Sequence, residues 1–361
     1  MHEARHRTIR RNPRHLHTAR RVAQTQSDNG VHGSISRIFD ISGSLTGAAS
    51  DESFHGAPRR GTRSGAQNFV GPMIPIHHGL SDLAERYDAF VIDLWGVLHD
   101  GVRAFPEAVA CLEQLRARDK RVVILSNAPR RAAEVAARNA ELGIARELCD
   151  GVMSSGEAAW RHLARRDDPW YRALGRRCHH LGPARDRGMR DGLDYDFVED
   201  PAQADFILNT GTLDFGDPPA RYDALLRAAL GRRLPMVCAN PDLEVIRGGR
   251  REICAGTIAR AYEELGGEVR YHGKPHPEIY QDCFALIAAP ARGRIAAIGD
   301  SLRTDIAGAR AAGIDGIFIT GGLQGEALGA DAQGNVEPAR LAAFCAAAGE
   351  APVAALPVLR W

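Results

Sequence analysis

Lysine is almost absent from this chain: of 46 basic residues only Lys120 and Lys274 are not arginine. Where any cation would serve, the sequence uses a planar guanidinium, so a surviving ammonium marks a place that asks for a compact point charge. Aromatic residues are also scarce, at 6% of 361 positions. No stretch approaches the roughly 18 uncharged apolar residues of a membrane-spanning helix, which excludes an integral helical membrane protein. The seven cysteines (111, 149, 178, 238, 254, 283 and 345) are odd in number and scattered, with no CxxC or zinc-type pair. A disulfide scaffold is thereby excluded, and a reducing, cytoplasmic setting is the expectation.

The net charge of +1 conceals an asymmetry: residues 1–72 hold 11 Arg against 5 acids, while the remaining 289 residues hold 35 basic and 40 acidic side chains. A mildly acidic body lacks the clustered positive charge that nucleic-acid backbones require, so neither nucleic acid nor membrane is an expected partner. Residues 1–72 are rich in Arg, His, Ser, Gly and Gln without a sustained apolar period, and disorder is expected there. The pair Arg20-Arg21 is followed by VAQTQSDNG, which is no apolar core of an export signal.

From Tyr87 onward short apolar runs alternate with helical periods. AFVIDL (89–94), RVVILS (121–126), DFILNT (205–210), PMVCAN (235–240), RIAAIG (294–299) and GIFIT (316–320) read as strands. Helices are expected at 106–118, where Pro106 suits a first helical position, after Pro129, and near 219–231, 256–265, 276–289 and 304–312. Such alternation predicts an α/β fold with parallel sheets wrapped by helices.

In open α/β sheets ligands sit beyond the carboxyl ends of the strands. Four strand ends carry chemistry in order: Asp93 after AFVI, Ser126-Asn127 after RVVIL, Lys274 after EVRYHG, and Asp300 with Asp305 in GDSLRTD. Together they suit phosphoryl transfer to a carboxylate. Asp93 would be the nucleophile, and an anionic nucleophile meeting a phosphate needs an intervening cation, here Mg²⁺ held by Asp93 and Asp300. Lys274 supplies a second positive charge. Ser126 and Asn127 stand at a helix start suited to phosphate oxygens, and Asp305 orients Lys274 or the metal shell from behind.

This ordered set resembles the haloacid dehalogenase (HAD) superfamily, whose four motifs are matched by Asp93, Ser126, Lys274 and Asp300/Asp305. The insert between the second and third motifs, with CANPD (238–242) running into AGTIARAYEELG and GKPHPEIY, is similar to class IIA members such as NagD-type nucleotidases and p-nitrophenyl phosphatases. The resemblance spans roughly residues 80–325 and implies a Rossmann-like core (73–154 and 269–325), a large inserted α/β cap (155–268) and a C-terminal helical extension (326–361). It implies Mg²⁺-dependent hydrolysis of a small phosphorylated metabolite through an aspartyl-phosphate. Asn240 and Asp242 are candidates for facing the ligand from the cap, with Thr210 to Thr212 behind them.

One position departs from the pattern. Phosphatases of this superfamily carry DxDG, whose second Asp is the acid/base; here the string is Asp93-Leu94-Trp95-Gly96. The family residue at this place offers its backbone carbonyl to the metal, which Trp95 retains. Three readings stay open: a slowed hydrolase in which His99 or Asp100 replaces the acid, a phosphometabolite-binding or regulatory protein with little turnover, and dehalogenase-like attack on carbon.

Overall fold

The computed structural model describes residues 73–361 apart from residue 289, so the arm expected to be disordered, residues 1–72, lies outside the described residues. In chain order the described strands are β1 (Ala89–Asp93), β2 (Arg121–Ser126), β3 (Gly151–Ser154), β4 (Arg177–Leu181), β5 (Asp196–Phe197), β6 (Phe206–Asn209) and β7 (Met236–Cys238). They continue with β8 (Glu244–Arg247), β9 (Arg250–Ile253), β10 (Val269–Tyr271), β11 (Ile295–Gly299), β12 (Asp315–Ile319) and β13 (Ala354–Leu356). One sheet has the order β13-β12-β11-β1-β2-β3 and a second has the order β10-β7-β6-β4-β5. Every pairing described within these two sheets is parallel. β8 and β9 form a separate antiparallel hairpin.

The first sheet is parallel because both of its faces can be covered. β1 (AFVID) and β11 (IAAIG) are buried at all five positions. Successive side chains alternate between two hydrophobic clusters, as the two-residue strand period demands. Phe90, Ile92, Ile124 and Ile298 pack with Leu112 and Leu115 of helix Pro106–Arg116 on one face. Val91, Val123, Leu125 and Ala297 pack with Ile279, Tyr280 and Cys283 of helix Pro277–Leu286 on the other. The chain leaves β1 toward β2 on one side and later returns to β11 on its other side. This switch point opens a crevice beyond the carboxyl end of β1.

The second sheet is built the same way, Ile207 and Met236 packing with Ile258 and Tyr262 on one face and Phe206, Leu208 and Val237 with Leu163 and Tyr171 on the other. Helix Ser155–Arg165 serves both sheets: Ala158 belongs to the first sheet's cluster, Ala159 and Leu163 to the second's.

Two expected borders differ from the structure. Val269–Tyr271, placed with the core at the sequence level, pair with Met236–Cys238 in the second sheet, because their register continues that sheet's parallel ladder. The stretch 326–361, expected as a helical extension, includes helix Pro338–Ala347 but also β13, which pairs with β12 as the edge of the first sheet. Its AAL sequence is fully buried there. Among the described residues no helix is long and apolar enough to cross a membrane.

Candidate active site

β1 ends on Asp93, and the neighbouring strands of both sheets deliver their chain ends to the same crevice. The Lys274 ammonium, 3% exposed, donates to Asp93 Oδ1 and, at 2.7 Å, to Asp305 Oδ1. Asp305 is placed by a wide turn over Leu302–Ile306, in which the Ile306 N–H reaches back five residues to the Ser301 carbonyl. Its second oxygen accepts from the Ser301 N–H at 3.1 Å. Asp300, directly after β11, accepts from the Leu323 N–H at 2.7 Å.

Asn127 locks the lysine loop in place. Its Oδ1 accepts from the Lys274 N–H at 2.8 Å, and its Nδ2 donates to the Lys274 carbonyl at 3.2 Å and to Asp242 Oδ1 at 2.9 Å. One amide thus joins the end of β2, the segment after β10 and the segment after β7. Ser126 Oγ accepts from the Ala128 N–H at 3.2 Å, which leaves its hydroxyl proton for another acceptor. Asn240 Oδ1 accepts from the Asp242 N–H at 2.9 Å, so the Asn-Pro-Asp string is a side-chain-stabilised turn as well as part of the crevice.

Asp93, Asp300 and Asp305 are all buried, and one ligand oxygen from each lies within 4.8 Å of the others. Three carboxylates share one ammonium. Burial, followed by repulsion from Asp93 and Asp305, raises the Asp300 carboxyl well above the ordinary range. Burial pushes Asp93 up to about 7 although Lys274 opposes the shift. Burial works against the charge of Lys274 too, yet Asp305, Asp93 and Asp242 outweigh it and hold the ammonium protonated. Such a surplus of hard oxygen donors fits a divalent cation of the Mg²⁺ kind. None of the described residues donates a hydrogen bond to the Trp95 carbonyl; the turn's bonds end on the Leu94 and His99 carbonyls. That oxygen therefore keeps its acceptor capacity.

Gly96 makes this closeness possible. Its φ of +76° favours glycine, and a Cβ there would lie 1.9 Å from Asp300 Oδ2.

Asp93, Trp95, Ser126, Asn127, Asn240, Asp242, Lys274, Asp300 and Asp305 all line one cavity of about 300 Å³. Thr210 and Thr212 line it as well, but the Thr210 hydroxyl is engaged by His180 Nε2 at 2.9 Å. Trp95 packs edge-on against His99, with ring centroids 5.0 Å apart. Neither candidate for the missing acid is set up to hold a proton near neutrality. Burial pushes His99 down to about 4, and its Nδ1 accepts from the Gly101 N–H at 3.0 Å. Asp100 accepts from the Val102 and Arg103 N–H groups, which overcome a burial penalty and hold its carboxyl below the ordinary range.

Sequence reasoning missed the far wall of the cavity, which carries Arg130, Arg185, Asp186, Phe215 and Arg247. Arg185 lies just beyond β4, whose sequence RCHHL carries no apolar run to announce a strand.

Comparison with known proteins agrees with this construction. Residues 90–195 match a family described as haloacid dehalogenase-like hydrolase, and residues 271–343 match one described as HAD-hydrolase-like. A solved hydrolase of the haloacid dehalogenase-like family from Brucella suis is 34% identical, with a TM-score of 0.67 over 78% of this chain and 99% of that one. The D-glycerol 3-phosphate phosphatase of Mycobacterium tuberculosis is 29% identical over 251 residues. That match covers 68% of this chain and 66% of the mycobacterial protein, just under two thirds of its length. A structure of the glycerol phosphate phosphatase from the same organism in complex with magnesium is 27% identical, with a TM-score of 0.52 over 71% of this chain and 74% of that one. With its nucleophile-type aspartate at the switch point and its motifs in order, the chain belongs to the haloacid dehalogenase-like hydrolases.

Proposed function

We propose that the protein is a Mg²⁺-dependent phosphatase acting on a small phosphorylated metabolite in the cytoplasm, slow toward esters with poor leaving groups. The observation that carries this reading is the buried Lys274 ammonium bridging Asp93 and Asp305 beside Asp300, at the carboxyl end of the switch-point strand. A phosphatase of known substrate among the relatives, and the magnesium in its structure, support the same class of chemistry.

In this reading an Asp93 oxygen attacks phosphorus, the bond from phosphorus to the leaving oxygen breaks, and an aspartyl-phosphate results. Water then cleaves it and releases inorganic phosphate. Lys274 offsets charge on Asp93 and on the incoming phosphate, Ser126 offers its hydroxyl to a phosphate oxygen, and Asn127 keeps the lysine backbone in register. Asp93, Asp300 and the Trp95 carbonyl would hold the Mg²⁺, with Asp305 behind, and the ion supplies electrostatic stabilisation of the phosphoryl group when bound. Trp95 brings no acid to the departing oxygen.

The test is phosphate release from p-nitrophenyl phosphate, whose phenolate leaves without a proton. Wild type should turn over only with Mg²⁺ present, and Asp93→Asn should lose at least about a hundredfold, as removal of a covalent nucleophile does. Activity retained in Asp93→Asn would remove Asp93 from the chemistry. Absence of turnover in the wild type, with phosphate still bound, would instead favour a phosphometabolite-binding protein, the reading that Trp95 together with the unprotonated His99 and Asp100 keeps in play.

A further inference from the structure

The far wall of the cavity holds more positive charge than the carboxylates beside it neutralise. Phe215, 52% exposed, lies between two guanidinium groups: Arg185 sits 4.2 Å from its ring centroid and Arg247 sits 4.3 Å from it. An aromatic face fixes a guanidinium without consuming its N–H donors, whereas a carboxylate would occupy them.

The acids that could compete are already engaged. Asp186 is buried and pairs with Arg130 at 2.8 Å, leaving only a 3.9 Å approach to Arg185. Glu244 is taken by Arg251, and Glu252 accepts from the Gly216 N–H at 2.7 Å. Of the two other arginines lining the cavity, Arg130 holds Asp186 and Arg138 pairs with Glu141 at 2.8 Å. Among the described residues no carboxylate lies within ion-pair distance of Arg247, and Arg185 has only that one distant contact. Partial burial draws the Arg185 guanidinium below its ordinary range; Asp186 opposes the shift, and the neighbouring Arg130 and Arg247 add to it.

Position agrees with charge. Arg185 follows the carboxyl end of β4, Phe215 follows β6, and Arg247 ends β8. The first two follow carboxyl ends of strands of the second sheet, Arg247 belongs to the separate β8–β9 hairpin, and all three line the same cavity as Asp93. The phosphoryl group needs only the Asp93 end. The cavity's remaining volume leads to two open forks of N–H donors whose geometry matches a carboxylate or a phosphate bidentately.

We propose that Arg185 and Arg247, stacked on Phe215, form a second anion subsite, and that the preferred ligand carries an anionic group, a carboxylate or a second phosphate, at the end opposite the transferred phosphoryl. This rests on the reading of the Asp93 end as a phosphate site.

Phosphonates cannot be hydrolysed, so their binding separates this subsite from turnover. Calorimetry with Mg²⁺ present should compare propylphosphonate, 3-phosphonopropionate and ethane-1,2-bisphosphonate on wild type and on the double variant Arg185→Met, Arg247→Met. Methionine retains apolar bulk against Phe215, and thermal unfolding verifies that the variant is folded. In the wild type at least one of the doubly anionic ligands should bind about tenfold or more tighter than propylphosphonate, as charge-assisted bidentate contacts allow. The double variant should lose that advantage while holding propylphosphonate unchanged. A carboxylate-only advantage identifies a carboxylate-ended ligand, and a bisphosphonate-only advantage identifies a second phosphate. Equal affinities in the wild type, or an advantage that survives the double substitution, overturn the proposal. Failure of the phosphatase reading registers elsewhere, as absent phosphate release from p-nitrophenyl phosphate, and leaves this comparison of affinities intact.

Discussion

In the proposed phosphatase, Trp95 is the residue on which the rate is expected to turn. The indole stands where an acid/base carboxylate would, its ring packs against His99, and Gly101 has no side chain because a Cβ there would lie 2.3 Å from the ring. General acid–base help is worth roughly 10²- to 10⁴-fold. Trp95→Asp should therefore raise turnover of a poor-leaving-group ester such as ethyl phosphate by about 10- to 1000-fold. p-Nitrophenyl phosphate should gain far less, and Mg²⁺ affinity should hold, since the ion is expected to see the carbonyl of residue 95. Loss of the half-buried indole costs packing, so thermal unfolding accompanies the kinetics. A folded, metal-binding variant no faster on either ester would show that a missing acid is not what limits the site. Lys274 tells a different story at the same scale: its identity was legible because the chain otherwise spends arginine, and its two carboxylate partners account for the choice of a compact ammonium.

At the level of elements, legibility followed burial. AFVID, RVVILS, FILN, MVC, IAAIG and GIFI are apolar runs buried on both faces, and their ends carry most of the site. β4 (RCHHL) and the β8–β9 hairpin (EVIR and RREI) carry charged or polar residues, so periodicity concealed them and with them Arg185 and Arg247. β13 was hidden for another reason: a three-residue AAL strand after an alanine-rich helix has no period to read. The turn after β1 was visible as a motif, but its demand on conformation was not. Gly96→Ala would have to leave φ +76° and displace Asp300, since the new Cβ would overlap its Oδ2. That variant should fold, with Mg²⁺ affinity reduced at least about tenfold by calorimetry, as mispositioned ligands commonly cause. Unchanged affinity would mean that Asp300 is free to move and does not set the metal geometry.

For the molecule as a whole, the crevice is a store of unfavourable charge that a cation relieves, and this makes stability, metal and pH one problem. The folded value of Asp93, about 7, lies above its ordinary 3.8, so without metal the folded state holds that proton more tightly than the unfolded chain. The associated stabilisation is complete below the unfolded value and is lost as pH rises through the folded one. A divalent ion must displace the same proton, so its binding strengthens over that window. Burial acts oppositely on His180 and His272, pulled down to about 4 and about 3. Their contribution is present above their ordinary 6.5 and is lost as pH falls. These two histidines lie outside the carboxylate cluster and titrate alike with or without metal, so they cancel when the two conditions are subtracted. The increment in thermal midpoint between Mg²⁺ and EDTA should therefore be small near about pH 5.5 and grow through about pH 7 and beyond, since the raised Asp300 carboxyl also holds a proton that the ion must displace. Asp300→Asn should abolish the increment at every pH while leaving the EDTA curve folded and cooperative. An increment that is flat across this range would mean that the ion does not compete with the Asp93 proton and binds away from the strand ends.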